Sequence, residues 1–373
     1  MNFLSRPSSF AIACSFALIS ATQVFAAGGL SRDGQDVSFM YEDGDFAAIS
    51  LRSITPSVTG TSYTPVSADE MAPAIIPTSV GESYSTYNIN YRKNSSGKGA
   101  IGFQVRTPIG ADLLYPSGSV LAGTSVDYDS LAISLLGSYN TSREVKLIGG
   151  ITSQSQNAEV SIPFQAYTAS ASRDSGTGFI LGAAYSIPEI AFRASTTYFS
   201  EISTSHATLE NGLLPSTTEI TSPKGINIDI QSGIMEDTLA FVSIVYQDWD
   251  ATIFDPVGWR ANAGSALYDP ESATTYTVGL GRKFSDTIAG SVSYTLKEET
   301  DGTASALAPT DGYQDISLGL RYSLDKVEIG VGGTYRTYTN DVATTQMLAP
   351  GMPIGNFTKN SLTGVGISMK YKY

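Results

Sequence analysis

From residue 47 onward, apolar and polar side chains alternate along the chain. Tyr87, Ile89 and Tyr91 interleave with Asn88, Asn90 and Arg92, and Ile101, Phe103 and Val105 with Gly102, Gln104 and Arg106. Ile226, Ile228 and Ile230 interleave with Asn227, Asp229 and Gln231, and the chain ends on Val365, Ile367, Met369, Tyr371 and Tyr373 in the same rhythm. A period of two means strands with one apolar and one polar face. The connections are of two kinds, in strict alternation. Short ones with turn residues fall at 93–97, 141–143, 187–188, 235–236, 285–286 and 324–325, and long ones at 59–80, 108–127, 159–175, 205–222, 250–272, 300–312 and 339–360. This predicts 14 strands, at about 47–58, 81–93, 98–107, 128–140, 144–157, 176–186, 189–204, 223–233, 237–249, 273–284, 287–299, 313–323, 326–338 and 361–373. An antiparallel up-and-down meander with short turns at one end and long loops at the other is the pattern of an all-β transmembrane barrel. An even strand number puts both termini on the same side, the periplasmic one.

Composition fits that reading better than a soluble one. Charged residues are 15 % of 373, against roughly 25 % in soluble domains, yet mean hydropathy is close to zero. A barrel accounts for both, because only alternate residues meet lipid. The net charge of −13 leaves no basic face for nucleic acid, and a single His cannot supply a His-rich metal site. No metal and no cofactor is expected. Residues 1–26 read as a secretory signal peptide: Arg6, an apolar run from Phe10 to Ile19, then Val24 and Ala26 at a small-residue cleavage site. Its removal takes away Cys14 and Arg6, leaving no thiol and a net charge of −14. Residues 27–46 are rich in Gly and Asp and too short for a core of their own. They form either a periplasmic tail or a plug inside the barrel, with residues 47–373 as the barrel itself.

Beyond residue 30 no apolar run reaches the 18 residues of a helical span. Tyr87, Tyr91, Tyr185, Tyr198, Tyr246, Tyr294, Tyr322, Tyr335 and Tyr371 fall near strand ends, where interfacial aromatic girdles form. A terminal aromatic, Tyr373, suits recognition by barrel-assembly machinery. Acidic loops suit the outer-membrane lipid and lipopolysaccharide surface.

The long connections carry more hydrophobes than solvated loops need. Leu113, Leu114, Ile162, Phe164, Leu213, Leu214, Phe254, Trp259, Met347 and Leu348 lie in them, and Leu30, Phe39, Met40 and Phe46 lie in or beside the N-terminal segment. They are candidate contacts for a hydrophobic small molecule, or they simply pack the loops together. Arg52, Arg106 and Arg193 fall on inward-facing positions and are candidate partners for a carboxylate head group. The same inward bases read equally as wall residues paired to nearby acids. His206, beside Ser205, falls in a predicted loop and is expected to be solvated rather than catalytic, so no enzyme is expected.

Several stretches resemble the FadL-type family of outer-membrane transporters for long-chain fatty acids and other hydrophobic compounds. They are Gly28 to Gln35; Pro188 to Arg193 and on to Ile202; Ser222 to Gly233, leading into Asp237 to Phe241 and Asp248-Trp249; Tyr276 to Phe284; and Leu307-Ala308-Pro309-Thr310-Asp311-Gly312-Tyr313. The resemblance implies a 14-stranded barrel holding an N-terminal hatch, passive uptake from the outer loops, and exit sideways beside a kinked third strand. Gly99 and Gly102 fall on that strand and are the expected bend. The family's Asn-Pro-Ala hatch motif is missing; residues 40–46 read MYEDGDF. A porin for polar solutes remains the alternative.

Overall fold

The computed structural model describes residues 30–67, 70–95, 97–299, 303–339, 342–344, 347–349 and 352–373. The expected signal peptide lies outside the described residues. Fourteen strands form the wall: β1 (Phe46–Ser57), β2 (Tyr84–Asn94), β3 (Gly99–Arg106, continued by Gly110–Leu114), β4 (Ser125–Asn140), β5 (Val145–Ile162), β6 (Tyr167–Ile187), β7 (Phe192–Phe199, continued by Ile202–Glu210), β8 (Leu214–Ser222, continued by Lys224–Met235), β9 (Thr238–Asp248), β10 (Ala273–Lys283), β11 (Ile288–Lys297), β12 (Tyr313–Leu324), β13 (Val327–Tyr338) and β14 (Ser361–Lys372). Each pairs antiparallel with the next, and β1 pairs with both β2 and β14, so the sheet closes. Closure leaves no free edge, which a sheet in lipid requires.

The predicted alternation sorts side chains by face. Leu51, Ile101, Leu135, Leu181, Val278, Leu318 and Ile367 are exposed on the outside, whereas Arg92, Gln104, Ser134, Thr152, Asn227 and Arg336 are buried inside. An outward apolar belt around a polar interior is what lipid on one side and a lumen on the other demand. Among the described residues no helix is long and apolar enough to cross a membrane. Near the short turns the belt is bordered by Tyr185, Tyr322 and Tyr371, and near the long connections by Tyr246, Tyr294 and Tyr335, all exposed. Tyr373 stacks on Tyr91 and Tyr371, with ring centroids 6.2 and 6.4 Å apart.

The long connections are more ordered than the sequence suggests. β4, β5 and β6 have 16, 18 and 21 residues, where about 9–11 suffice to span a membrane. Most of 159–175 is therefore strand, and 205–222 is a hairpin rather than a loop. Its tip is Asn211-Gly212, both at positive φ (51° and 66°), with Leu213 N–H donating to Glu210 C=O at 3.0 Å. Asn-Gly is the strongest short-range hairpin signal. Residues 59–80 contribute two strands, Gly60–Ser67 and Glu70–Ile76, to a five-stranded sheet with Thr303–Ala304, Val342–Thr344 and Asn356–Phe357. Residues 250–272 contain a short helix, α1 (Val257–Ala263).

On the protruding strands the polarity of the two faces inverts. Outward residues become Asp127, Asp129 and Glu159, while inward ones become Tyr128, Ala158, Val160, Ile162, Tyr167, Ala169 and Ala171, all buried. Past the lipid the outside is wet, so the strands carry their apolar face inward around a core of their own.

Candidate functional site: an apolar cavity beside a break in the wall

Residues 30–45 lie within the barrel and meet its inner wall residue by residue. Arg52 pairs with Asp33 at 2.6 Å, Asn88 donates to the same carboxylate at 2.9 Å, and Arg106 donates to Gly34 C=O. Lys146 donates to Tyr41 C=O, Glu42 C=O and Asp43 at 2.9–3.0 Å, Lys370 pairs with Glu42 at 2.7 Å, and Arg92 donates to Gly44 C=O. Gln104 donates to Asp36 C=O, Asn227 to Gln35 C=O, and Tyr41 O–H to Thr196 C=O. The acids and carbonyls of this segment are thus the counterpart of the inward bases Arg52, Arg92, Arg106, Lys146 and Lys370. Buried charges need such partners.

Below these contacts Val37, Phe39, Met40, Tyr41 and Phe46 form a buried cluster with Leu136, Ile148, Ile180, Ala184 and Phe199. Gly102 belongs to this seat. A β-carbon there would overlap Met40 Sδ, so glycine makes room for the segment rather than bending the strand. β3 runs unbroken through Gly99 and Gly102. The expected bend lies instead at 107–109, between Gly99–Arg106 and Gly110–Leu114. Three residues there face two on β4, because Arg106 pairs with Ala132 and Gly110 with Asp129. Ser130 Oγ accepts Ile109 N–H at 2.9 Å and donates to Ile109 C=O at 2.5 Å, holding the bulge. Pro108 supplies no N–H at this point, so its place in a ladder is lost at no cost in donors.

On the other side the β2–β3 ladder stops at Asn88 and Arg106. It resumes only where Gly81 bridges Leu113 and Glu82 N–H donates to Asp112 C=O at 3.0 Å. The N-terminal segment lines that gap: Arg32 N–H donates to Pro108 C=O at 2.9 Å and Gly110 N–H to Leu30 C=O at 2.8 Å.

Above the gap lies an apolar cavity of ≈ 50 Å³ lined by Leu30, Val126, Tyr128, Ala158, Val160, Ile220, Thr252, Phe254, Tyr268 and Leu307. A second cavity of ≈ 70 Å³ adjoins it through Leu307 and opens beside Tyr84, Gly110, Asp112 and Leu113. Both are smaller than the roughly 150 Å³ that holds one benzene, so a ligand has to displace side chains or the segment ending at Leu30.

The candidate residues are dispersed around this path. Leu30 and Phe254 line the apolar cavity, and Ile162 and Trp259 belong to the buried cluster around it. Leu113 lines the second cavity, and Phe164 packs against both outer clusters. Leu114, Leu213 and Leu214 are exposed, Leu213 at 87 %. The side chains of Met347 and Leu348 lie outside the described residues. Arg52 and Arg106 are engaged by residues 33 and 34. Arg193 faces a separate polar cavity of ≈ 40 Å³ with Asp36 and Asp229, 5.9 Å from the Tyr41 ring. Sequence reasoning missed Tyr128, Ala158, Val160, Ile220, Tyr268 and Leu307. The alternation of Ala158, Val160 and Ile162 with polar neighbours was the available signal.

His206 lies in a strand and not in the solvated loop expected for it. It sits on β7, fully buried, with Nδ1 donating to Ser172 C=O at 2.6 Å and Nε2 2.7 Å from Thr204 Oγ1. Gln156 bridges Thr204 to Tyr128, whose hydroxyl donates to Gln156 Oε1 at 2.6 Å. Both ring nitrogens are committed, and no substrate reaches them. Glu210 anchors α1: its carboxylate accepts Gly258 N–H at 2.8 Å, Trp259 N–H at 2.9 Å and Tyr167 O–H at 2.8 Å. Burial alone would raise its pKa; these bonds, with Ser216, outweigh burial and hold it below the usual carboxylate value.

Solved structures carry the same architecture. A FadL homologue from Pseudomonas aeruginosa superposes with a TM-score of 0.71 over 95 % of this chain and 96 % of its own, at 12 % identity. The architecture is that of the FadL-type barrels. The toluene transporter TodX of Pseudomonas putida gives 0.61 over 95 % and 96 %, at 11 % identity. The toluene transporter TbuX of Ralstonia pickettii gives 0.57 over 89 % and 90 %, at 10 % identity. No family model and no curated relative matches the sequence. At these identities the likeness concerns the fold, and it extends nearly end to end.

Proposed function

We propose that this chain is a bacterial outer-membrane channel for passive uptake of hydrophobic compounds, long-chain fatty acids or other apolar molecules, and not an enzyme. The observation that carries the reading is the apolar cavity around Leu30, Tyr128, Phe254 and Leu307, adjoining a break in the wall between β2 and β3. A hydrophobic solute gains about 25 cal/mol for each Å² it buries in such a site. Residues 27–46 act as the hatch, and its displacement joins the two cavities to the gap. Similarity to a FadL homologue and to toluene transporters supports the same class of cargo. Lipopolysaccharide is the barrier the channel bypasses, and barrel-assembly machinery is the expected partner in building the wall.

The test is accumulation of a labelled fatty acid and a labelled aromatic hydrocarbon by cells with intact lipopolysaccharide and no other hydrophobe channel. Uptake above empty-vector cells, lost on deleting 27–46 with the barrel still assembled, supports the reading. Steady high ionic conductance in planar bilayers, with no uptake of either label, replaces it with a polar-solute porin.

A further inference from the structure

The gap between β2 and β3 is closed by one side chain that comes from inside. Arg32 leaves the lumen beside Pro108, lays its guanidinium over the Tyr84 ring at 4.4 Å, and lies over Gly110. A β-carbon at 110 would overlap Arg32 Cζ, so glycine is what leaves room in the wall. The guanidinium ends on Asp112, with Asp129 at 3.6 Å. Asp129 and Asp127 alternate with the buried Tyr128 and Ser130, and Asp127 is the register partner of Asp112. All three carboxylates therefore stand on the outward face, at the rim of the gap. Among the described ion pairs Asp112 and Asp129 meet Arg32 alone, and Asp127 appears in none. The Arg32 side chain is only 6 % exposed. It fills the opening and offsets part of the rim's charge.

With the segment seated, the way to this rim offers an anionic head group no base that is not already engaged. None of the residues lining the apolar cavity is basic. The second cavity contains Arg336, but that guanidinium is bound to Asp315 through two bonds of 2.7 and 2.8 Å and stacked on Tyr313. Arg52 and Arg106, held by Asp33 and Gly34, face the lumen, not the outward face on which the three carboxylates stand.

We propose that Arg32 is a stopper that moves with the hatch, and that the carboxylate rim it uncovers makes the side opening selective for uncharged hydrophobic molecules over carboxylates. When Arg32 withdraws, Asp112 and Asp129 are left without their cation, with Asp127 beside them, around a narrow exit at the border of the lipid. A like charge passing there is repelled by all three, most strongly by Asp112, the least exposed of them and so the least screened. A neutral molecule meets no such barrier. The inference rests on the uptake reading above and narrows its cargo.

The experiment compares channel-dependent uptake of a labelled long-chain alcohol and the fatty acid of equal length at pH 8, where the acid is ionised. Cells with intact lipopolysaccharide carry the wild type, the triple variant Asp112→Asn, Asp127→Asn, Asp129→Asn, the single variant Asp112→Asn, or Arg32→Ala. Heat-modifiable gel mobility checks barrel assembly, and the single variant serves if the triple one assembles poorly. The expected result is alcohol entry at least about tenfold faster than acid entry in the wild type. The ratio falls in the Asn variants because the acid speeds up, and Arg32→Ala raises the alcohol rate but not the acid rate. Equal wild-type rates, or a ratio untouched by the Asn substitutions, overturns the selectivity while leaving uptake standing. Entry of neither compound above empty cells overturns the uptake reading itself.

Discussion

Gly102 of β3 and Met40 of the N-terminal segment occupy adjoining space, and a β-carbon at 102 would overlap the Met40 sulfur. Phe39 also borders that point, at 3.1 Å. The wall is therefore shaped for the segment at a residue whose neighbours in sequence give no hint of it.

Replacing Gly102 with Val should unseat residues 38–41, at an overpacking cost of about 1–3 kcal/mol. Residues 27–373 contain no Cys, so a Ser38→Cys variant reports cleanly by thiol labelling. Labelling of Ser38→Cys should be slow in the parent and severalfold faster with Gly102→Val. Unchanged labelling would mean that the segment tolerates the added methyls in place.

Leu307 lines both cavities, with Leu30 beside it in the apolar one. A Leu307→Trp substitution adds volume at the junction and should cut hydrophobe uptake by about tenfold, if roughly 1.4 kcal/mol is added to the barrier. Barrel assembly, read from heat-modifiable mobility, should not change. Undiminished uptake would place the path elsewhere.

Glu210 holds α1 to the hairpin: its carboxylate accepts two bonds from α1, at Gly258 and Trp259, and one each from Tyr167 and Ser216. Its pKa is lowered, so the carboxylate's contribution is present above its unfolded value of about 4.3 and is lost as pH falls through the lower folded value. In a Trp249→Phe background the remaining Trp259 reports on α1. Its emission should stay constant from neutral pH down to about pH 4 and shift only below that. In Glu210→Gln the shifted spectrum should already be present at pH 7.

His206→Leu should lower stability by about 1–3 kcal/mol, because the buried Thr204 hydroxyl and the Ser172 C=O both lose their imidazole partner. Thermal unfolding followed by heat-modifiable mobility measures this. Uptake by assembled protein should be unchanged, since His206 is fully buried and faces neither cavity.

The alternation of residue types by itself determined the strand number, the two kinds of connection, and which face of each strand meets lipid. Those follow from a period of two, which any local stretch such as Ile226 to Gln231 displays. The Asn211-Gly212 turn signal and the alternation at Ala158, Val160 and Ile162 stand in the sequence too, yet 159–175 and 205–222 read as loops there, because what makes them strands is pairing and a core beyond the lipid. The inward bases could be located, but not their partners: Arg52 and Asp33, or Lys370 and Glu42, meet only because residues 30–45 fold back across a closed barrel. Only the tertiary structure placed the break at 107–109 rather than at Gly99 or Gly102, buried His206, and carried Arg32 through the wall to Asp112. Each depends on space between segments far apart in the chain. A glycine reads the same whether it bends a strand, seats Met40 or lets a guanidinium pass, and the difference lies in what packs against it.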